Sequence, residues 1–245
     1  MKASESPFPC RWVSFDLEKA GLGKVRPRSG TYARYDFSAL PPLPFEFNGD
    51  WNWLRRSQPV EPNIADDTLY LHKGMPPLRD RVKAALVALR AAAAAAGLQL
   101  PNSFARFFSD DALASRIRSN TDCFMDVSPG LAGAPAGGGR FVRFLSDSQS
   151  VVFWYLYLAP SGDHAVVSSR DFYGAAEEEE EFYGGDDDDM GRRKPDSVSF
   201  AAESFEEFMC RFWLENQIWF AASEGREMTA EGKQYVKAYL KGAKK

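Results

Sequence analysis

The chain has 245 residues, of which 44% are hydrophobic and 14% aromatic, enough to bury a substantial core in a folded globular protein. Its net charge of −4 argues against a general nucleic-acid binder, which needs a basic stripe to neutralise phosphates. The charge is also unevenly placed: residues 1–60 hold nine Lys/Arg against six Asp/Glu, residues 177–189 hold nine acids and no base, and Lys233, Lys237, Lys241, Lys244 and Lys245 make the last turns basic.

In chain order, residues 1–75 are aromatic and rich in proline. In "DFSALPPLPFEFNGDWNWL" the prolines exclude helix, and the alternation of Phe45 with Phe47 and of Trp51 with Trp53 predicts short extended pieces. This segment is expected to form a layer packed on a main domain. Pro41 to Pro44 fits a P-x-x-P pattern, but the aromatic residues around it favour burial over display. Pro76-Pro77 opens a helix whose Leu78, Val82, Leu86 and Leu89 recur at helical spacing and which Gly97 stops. "LPNSFARFF" follows as a short helix with Asn102 or Ser103 at its cap, and Asp110 or Asp111 caps another turn or two carrying Leu113 and Ile117. The glycines of "GAPAGGG" lead into a strand, not a helix, so they read as a turn and not as a phosphate cradle.

"FVRFL", "VVFWYLYL" and "HAVVS" are strand-like runs separated by turn residues, which predicts an antiparallel meander with apolar side chains on both faces. "DSVSF" is a candidate last strand. "ESFEEFMCRFWLENQIWFA" is the clearest helix, with Ser204 and Glu207 at capping-box spacing and Phe205, Phe208, Met209, Phe212, Trp219 and Phe220 on one stripe. A basic helix over Thr229 to Lys241 ends the pattern.

The inventory for catalysis or metal binding is thin, so no catalytic residue, metal ligand or cofactor is assigned. His72 and His164 lack ligands at metal-site spacing, and contiguous acids do not make the separated carboxylate pair of a glycosidase. "GLGKV" lacks the spacing and the hydroxyl residue of a phosphate loop. Cys10, Cys123 and Cys210 have no C-x-x-C spacing and read as reduced thiols. With no signal-peptide pattern and no apolar run near the ~20 residues of a membrane span, a cytoplasmic protein is expected.

"LPNSFARFF", "RFVRFLSDSQSVVFWYLYLAPSGDHAVV" and "SFEEFMCRFWLENQIWF", in this order, resemble the SUKH superfamily, which includes yeast cell-wall-assembly regulators and bacterial immunity proteins against polymorphic toxins. The resemblance covers residues 76–222. It implies an α+β fold, an antiparallel β-sheet flanked by amphipathic helices, and a non-enzymatic protein-binding module. The expected organisation is an N-terminal extension over 1–75, a SUKH-like domain over 76–222 with an acidic insertion at 175–194, and a basic C-terminal helix over 223–245. Where many members carry Asn-Gly-Gly after the "LP" helix this chain has "SDDALASR", so no contact residue is carried over from that loop.

On this resemblance the expected partner is another protein, a basic toxin or nuclease domain, with no direct contact to nucleic acid or membrane. The alternative is an intracellular regulatory scaffold that uses the aromatic N-terminal layer and the basic tail. The acidic run is the candidate partner-binding surface: Glu177, Glu178, Glu179, Glu180, Glu181, Phe182, Tyr183, Asp186, Asp187, Asp188 and Asp189. A solvated insertion that binds nothing fits the same residues, and on that account its deletion leaves thermal stability nearly unchanged.

Overall fold

The structure is a computed structural model and describes residues 1–27, 30–66, 76–175, 178, 179, 182 and 195–242. It is α+β. Strands β1 (Arg11–Ser14) and β2 (Ala33–Asp36) form an antiparallel pair in the N-terminal layer. Helical segments α1 (Asn52–Arg55), α2 (Leu78–Ala95), α3 (Asn102–Ser109) and α4 (Asp111–Ala114) follow. Then come β3 (Phe124–Met125), β4 (Ala132–Gly133), β5 (Arg140–Ser146), β6 (Phe153–Leu158), β7 (His164–Ser169) and β8 (Val198–Ala202). Helices α5 (Phe205–Ser223) and α6 (Ala230–Gly242) close the chain.

The main sheet runs β3-β5-β6-β7-β8, with β4 also on β5, and every pairing is antiparallel. The expected meander is its centre. Because side chains alternate along a strand, Val152, Trp154, Leu156 and Leu158 enter one core while Phe153, Tyr155 and Tyr157 enter a second. A bulge between Arg143 and Leu145 places both Phe144 and Leu145 in the first core. Helices α3 and α5 cover that face; Phe144 packs edge-on to Phe205 and Phe208. Residues near the N-terminus cover the other face, with Phe8 against Phe141 and Tyr157.

One turn depends on glycine at two positions. In the β4–β5 turn, Gly137 has φ +72°, and a Cβ there would lie 2.4 Å from the Tyr157 hydroxyl. A Cβ on Gly139 would lie 2.4 Å from the Leu158 carbonyl oxygen. The glycine run is therefore a close-approach turn against β6.

Some local expectations need correction. The β1–β2 pair was not foreseen, and Trp51 and Trp53 do not lie on an extended piece. Trp51 sits at φ +60° and begins the helical turn α1, its indole packed against Phe107 (4.9 Å) and Phe205 (5.8 Å). Pro101, not Asn102 or Ser103, precedes the first turn of α3, and no side chain caps it. Asp110 does cap α4, accepting from the Ala112 amide, and Ser204 caps α5 through the Glu207 amide.

Helix α5 is buried on nearly all sides, which its apolar stripe alone does not explain. Glu206, Arg211, Glu215 and Asn216 are all buried on it, and each is met by a group from another segment. Glu215 accepts from Arg26 Nη1 (2.6 Å), Trp12 Nε1 (2.9 Å), Ser14 Oγ (3.0 Å) and Tyr235 Oη (2.8 Å). Arg211 donates to the Pro41 carbonyl (3.0 Å) and to Tyr235 Oη (3.1 Å). Glu206 accepts from Trp53 Nε1 (3.0 Å) and the Gly49 amide (2.6 Å), and Asn216 from the Asn120 amide (2.8 Å). One buried apolar cluster runs from Trp12 in the N-terminal layer to Tyr239 in α6.

Two stability measurements follow from this packing. Leu156→Ala should cost about 2–5 kcal/mol in urea unfolding, whereas Val87→Ala, on an exposed face of α2, should stay within about 0.5 kcal/mol. Glu215→Ala should cost about 3–5 kcal/mol, because it leaves Arg26 buried without its carboxylate. Burial alone would raise the Glu215 pKa, but Arg26 and the Trp12 and Tyr235 donors hold it below the usual carboxylate range. Its contribution is therefore present above the unfolded carboxylate value of about 4.3 and is lost as pH falls below it. A wild-type acid transition steeper than that of Glu215→Gln, over this window, is the expected readout.

Candidate functional site

Glu178, near the start of the acidic run, sits beside the β5 bulge, and Arg143 organises that corner. Arg143 is a buried charge in the middle of β5, between Val142 and Phe144. Its Nε and Nη2 donate to Asp126 at 2.6 and 3.2 Å, a two-point grip on one carboxylate, and Ser146 Oγ donates to the same carboxylate at 2.5 Å. Its Nη2 also donates to Glu178 Oε1 at 2.9 Å, and its guanidinium lies 4.6 Å from the Phe172 ring centroid. Burial would lower the Arg143 pKa, but Asp126 and Glu178 outweigh it and hold the group firmly cationic.

The backbone before the run is fixed against the same corner. Glu178 Oε2 accepts from the Ala175 amide (3.0 Å), and Glu179 Oε1 accepts from the Gly174 amide (3.0 Å). Gly174 must be glycine: an added Cβ would come within 2.8 Å of both Glu178 Cβ and Phe172 Cε1. Phe182 stacks on Phe172 with centroids 4.3 Å apart and planes 4° from parallel, and it meets Phe153 edge-on at 5.7 Å. About 43% of Phe182 stays exposed.

These contacts divide the candidate binding residues. Glu178, Glu179 and Phe182 are structural anchors, with Phe182 also open to solvent on part of its surface. Glu177, Glu180, Glu181, Tyr183, Asp186, Asp187, Asp188 and Asp189 lie outside the described residues. In sequence Met190 and Gly191 follow the run, and then Arg192, Arg193 and Lys194. The expectation that the whole run can be deleted without loss changes accordingly, since Glu178 and Phe182 hold contacts on the sheet. Arg143, Asp126, Phe172 and Gly174 were not foreseen. The available signal was Arg143 itself, a cation inside the apolar run "FVRFL".

His164 opens β7 with Nε2 buried, and burial, then the N-terminal ammonium, lowers its pKa; His72 lies outside the described residues. Burial pushes the Cys123 thiol up to about 11, so it stays protonated near neutral pH. Cys123 neighbours Tyr32 Oη (3.4 Å), which itself donates to Asp147 at 2.5 Å. Among the described residues no group of three or more His, Cys, Asp or Glu side chains could hold a metal ion, and no helix is long and apolar enough to cross a membrane.

No family model matches the chain, and no curated protein or solved structure does either.

Glu178→Ala removes a carboxylate from buried Arg143 and from the Ala175 amide while leaving the Asp126 grip in place. The expected cost is about 1–3 kcal/mol in urea unfolding. Equal midpoints for Glu178→Ala and wild type would show that the corner holds without it.

Proposed function

We propose that this protein is a non-enzymatic protein-binding module of the SUKH type, which holds a basic partner, a toxin or nuclease domain, against its acidic run and thereby neutralises it. The observation that carries the reading is the seating of Glu178 and Phe182. Arg143 holds Glu178 and Phe172 stacks on Phe182, so the run is anchored on the sheet corner at these two residues. A rooted cluster of like charge speeds the encounter with a cationic surface. Phe182, held by Phe172 and about 43% exposed, adds an aromatic contact of the kind that dominates interface energetics. The SUKH resemblance of residues 76–222 and the antiparallel α+β architecture support the same assignment.

The scaffold reading draws less support. The N-terminal aromatics it would present to partners are part of the core: Trp12, Phe15, Trp51 and Trp53 are buried, and Phe45 packs on Trp53 and Trp213. Pro41 of the P-x-x-P segment is buried with its carbonyl on Arg211.

The test changes Asp186, Asp187, Asp188 and Asp189 to Asn together and leaves Glu178 and Phe182 in place. Pull-downs from the native host at low salt should yield one basic protein with the wild type and lose it with the variant. Co-expression of wild type should relieve that protein's toxicity. The same captured set from both chains would overturn the proposal.

A further inference from the structure

Helix α6 carries charge of the opposite sign, arranged differently from the acidic run. Its inner face is spent on the core: Tyr235 and Tyr239 are buried one turn apart, and Gly232 sits so close to α5 that a Cβ there would lie 3.2 Å from Ile218 Cγ1. Beside that face runs an apolar shoulder of Val236 and Leu240, both only partly buried, with Met228 at its head. Next to the shoulder, Lys233, Lys237 and Lys241 recur every fourth residue, which aligns them on one stripe. Together these six residues line an open groove of about 390 Å³. Lys233 pairs with Glu227. Lys237 and Lys241 are exposed and make no ion pair among the described residues.

We infer that this groove is a docking site for an acidic amphipathic helix of another protein. The occupant follows from the pattern. An apolar strip one or two side chains wide accepts a single row of aliphatic residues, and a lysine row along one edge asks for carboxylates along the matching edge. Val236 to Leu240 and Lys233 to Lys237 to Lys241 both step by one helical turn, about 6 Å, so a helix with Leu and Glu at i, i+3 or i+4 spacing meets each step in register. A bare polyanion would satisfy the lysines and leave Met228, Val236 and Leu240 exposed. This surface is built from residues other than those of the acidic run, and either site can fail without the other.

The probe is a labelled 18-residue synthetic peptide, helix-forming, with Leu at i, i+3, i+7 spacing and Glu flanking one side of that row, titrated with the full chain by fluorescence anisotropy. Saturable binding is expected in the tens of micromolar, weakening as salt rises. Binding should fall at least about tenfold for Lys237→Glu with Lys241→Glu, and again for Leu240→Ser, while the Asp186–Asp189 variant binds like wild type. Because both lysines are exposed, the double variant should melt within about 2 °C of wild type; Lys237→Gln with Lys241→Gln serves as the charge-neutral second variant. Equal binding by these lysine variants overturns the inference. So does equal binding of a peptide with Ser in place of each Leu, which would reduce the site to charge alone. A wild-type dimer in light scattering that the double variant dissociates would assign the groove to a second copy and overturn it as well.

Discussion

The fold depends on a single buried carboxylate. Glu215 sits in the middle of α5 with no exposed surface and receives four hydrogen bonds, from Trp12, Ser14, Arg26 and Tyr235. An isolated ionised carboxylate at that depth would cost several kcal/mol, so the arrangement is tolerable only when all its partners are present. Those partners come from β1, from the turn before β2 and from α6, so the N-terminal layer and the C-terminal helix must both dock before α5 is satisfied. Arg211 extends the same requirement to the Pro41 carbonyl, and its shared Tyr235 hydroxyl joins the two charged side chains in one network. Apolar burial supplies most of the driving force for such a chain. The polar network makes one docking geometry acceptable, because any other rotation of α5 would bury these groups without partners.

That constraint also explains which parts of the structure the sequence displayed. The meander was legible because β5, β6 and β7 are consecutive and each carries its own alternation and turn residues. The stripe of α5 was legible for the same reason, being periodic within one segment. The Glu215 network was not, since its ion pair joins residues 189 positions apart and no local pattern links them. One sign was present nonetheless. Glu215 and Asn216 fall on the stripe itself, three and four residues after Phe212 and just before Trp219, where a surface helix would carry apolar residues. Polar residues on the buried face of a helix indicate that something else covers them, and here the cover is the N-terminal layer. The β1–β2 pair escaped notice because Arg11–Ser14 and Ala33–Asp36 are four residues each and an 18-residue segment separates them.

The corner at Arg143 repeats the logic on the opposite face of the sheet. A cation in the middle of a strand needs compensation, and Asp126 supplies it from β3's continuation while Glu178 supplies it from the start of the acidic run. The composition of the run suggested a uniform solvated segment, yet Glu178 and Glu179 both hold contacts on the fold. Glu178 belongs to an ion pair that is largely buried, and Phe182 belongs to an aromatic group with Phe153 and Phe172. Low-complexity runs hide this kind of division because identical residue types give no pattern to separate an anchor from a charge left in solvent. The partner of the anchor gives it away, and Arg143 is visible in the sequence as a misfit.

The two charged surfaces have opposite designs. The acidic run is anchored at Glu178 by a salt bridge and at Phe182 by a ring stack, and its sequence carries a single sign over 177–189, the composition that our proposal assigns to attracting a cationic surface. The basic side is a regular helix whose lysines stand at fixed one-turn steps beside an apolar strip, which suits short-range registration of a partner with matching periodicity. Because α6 docks through Tyr235 onto the same node that holds Arg26 and Glu215, its groove inherits the rigidity of the core. A groove on a helix tied to a buried charge network loses little freedom when occupied, so more of the contact energy is retained as affinity.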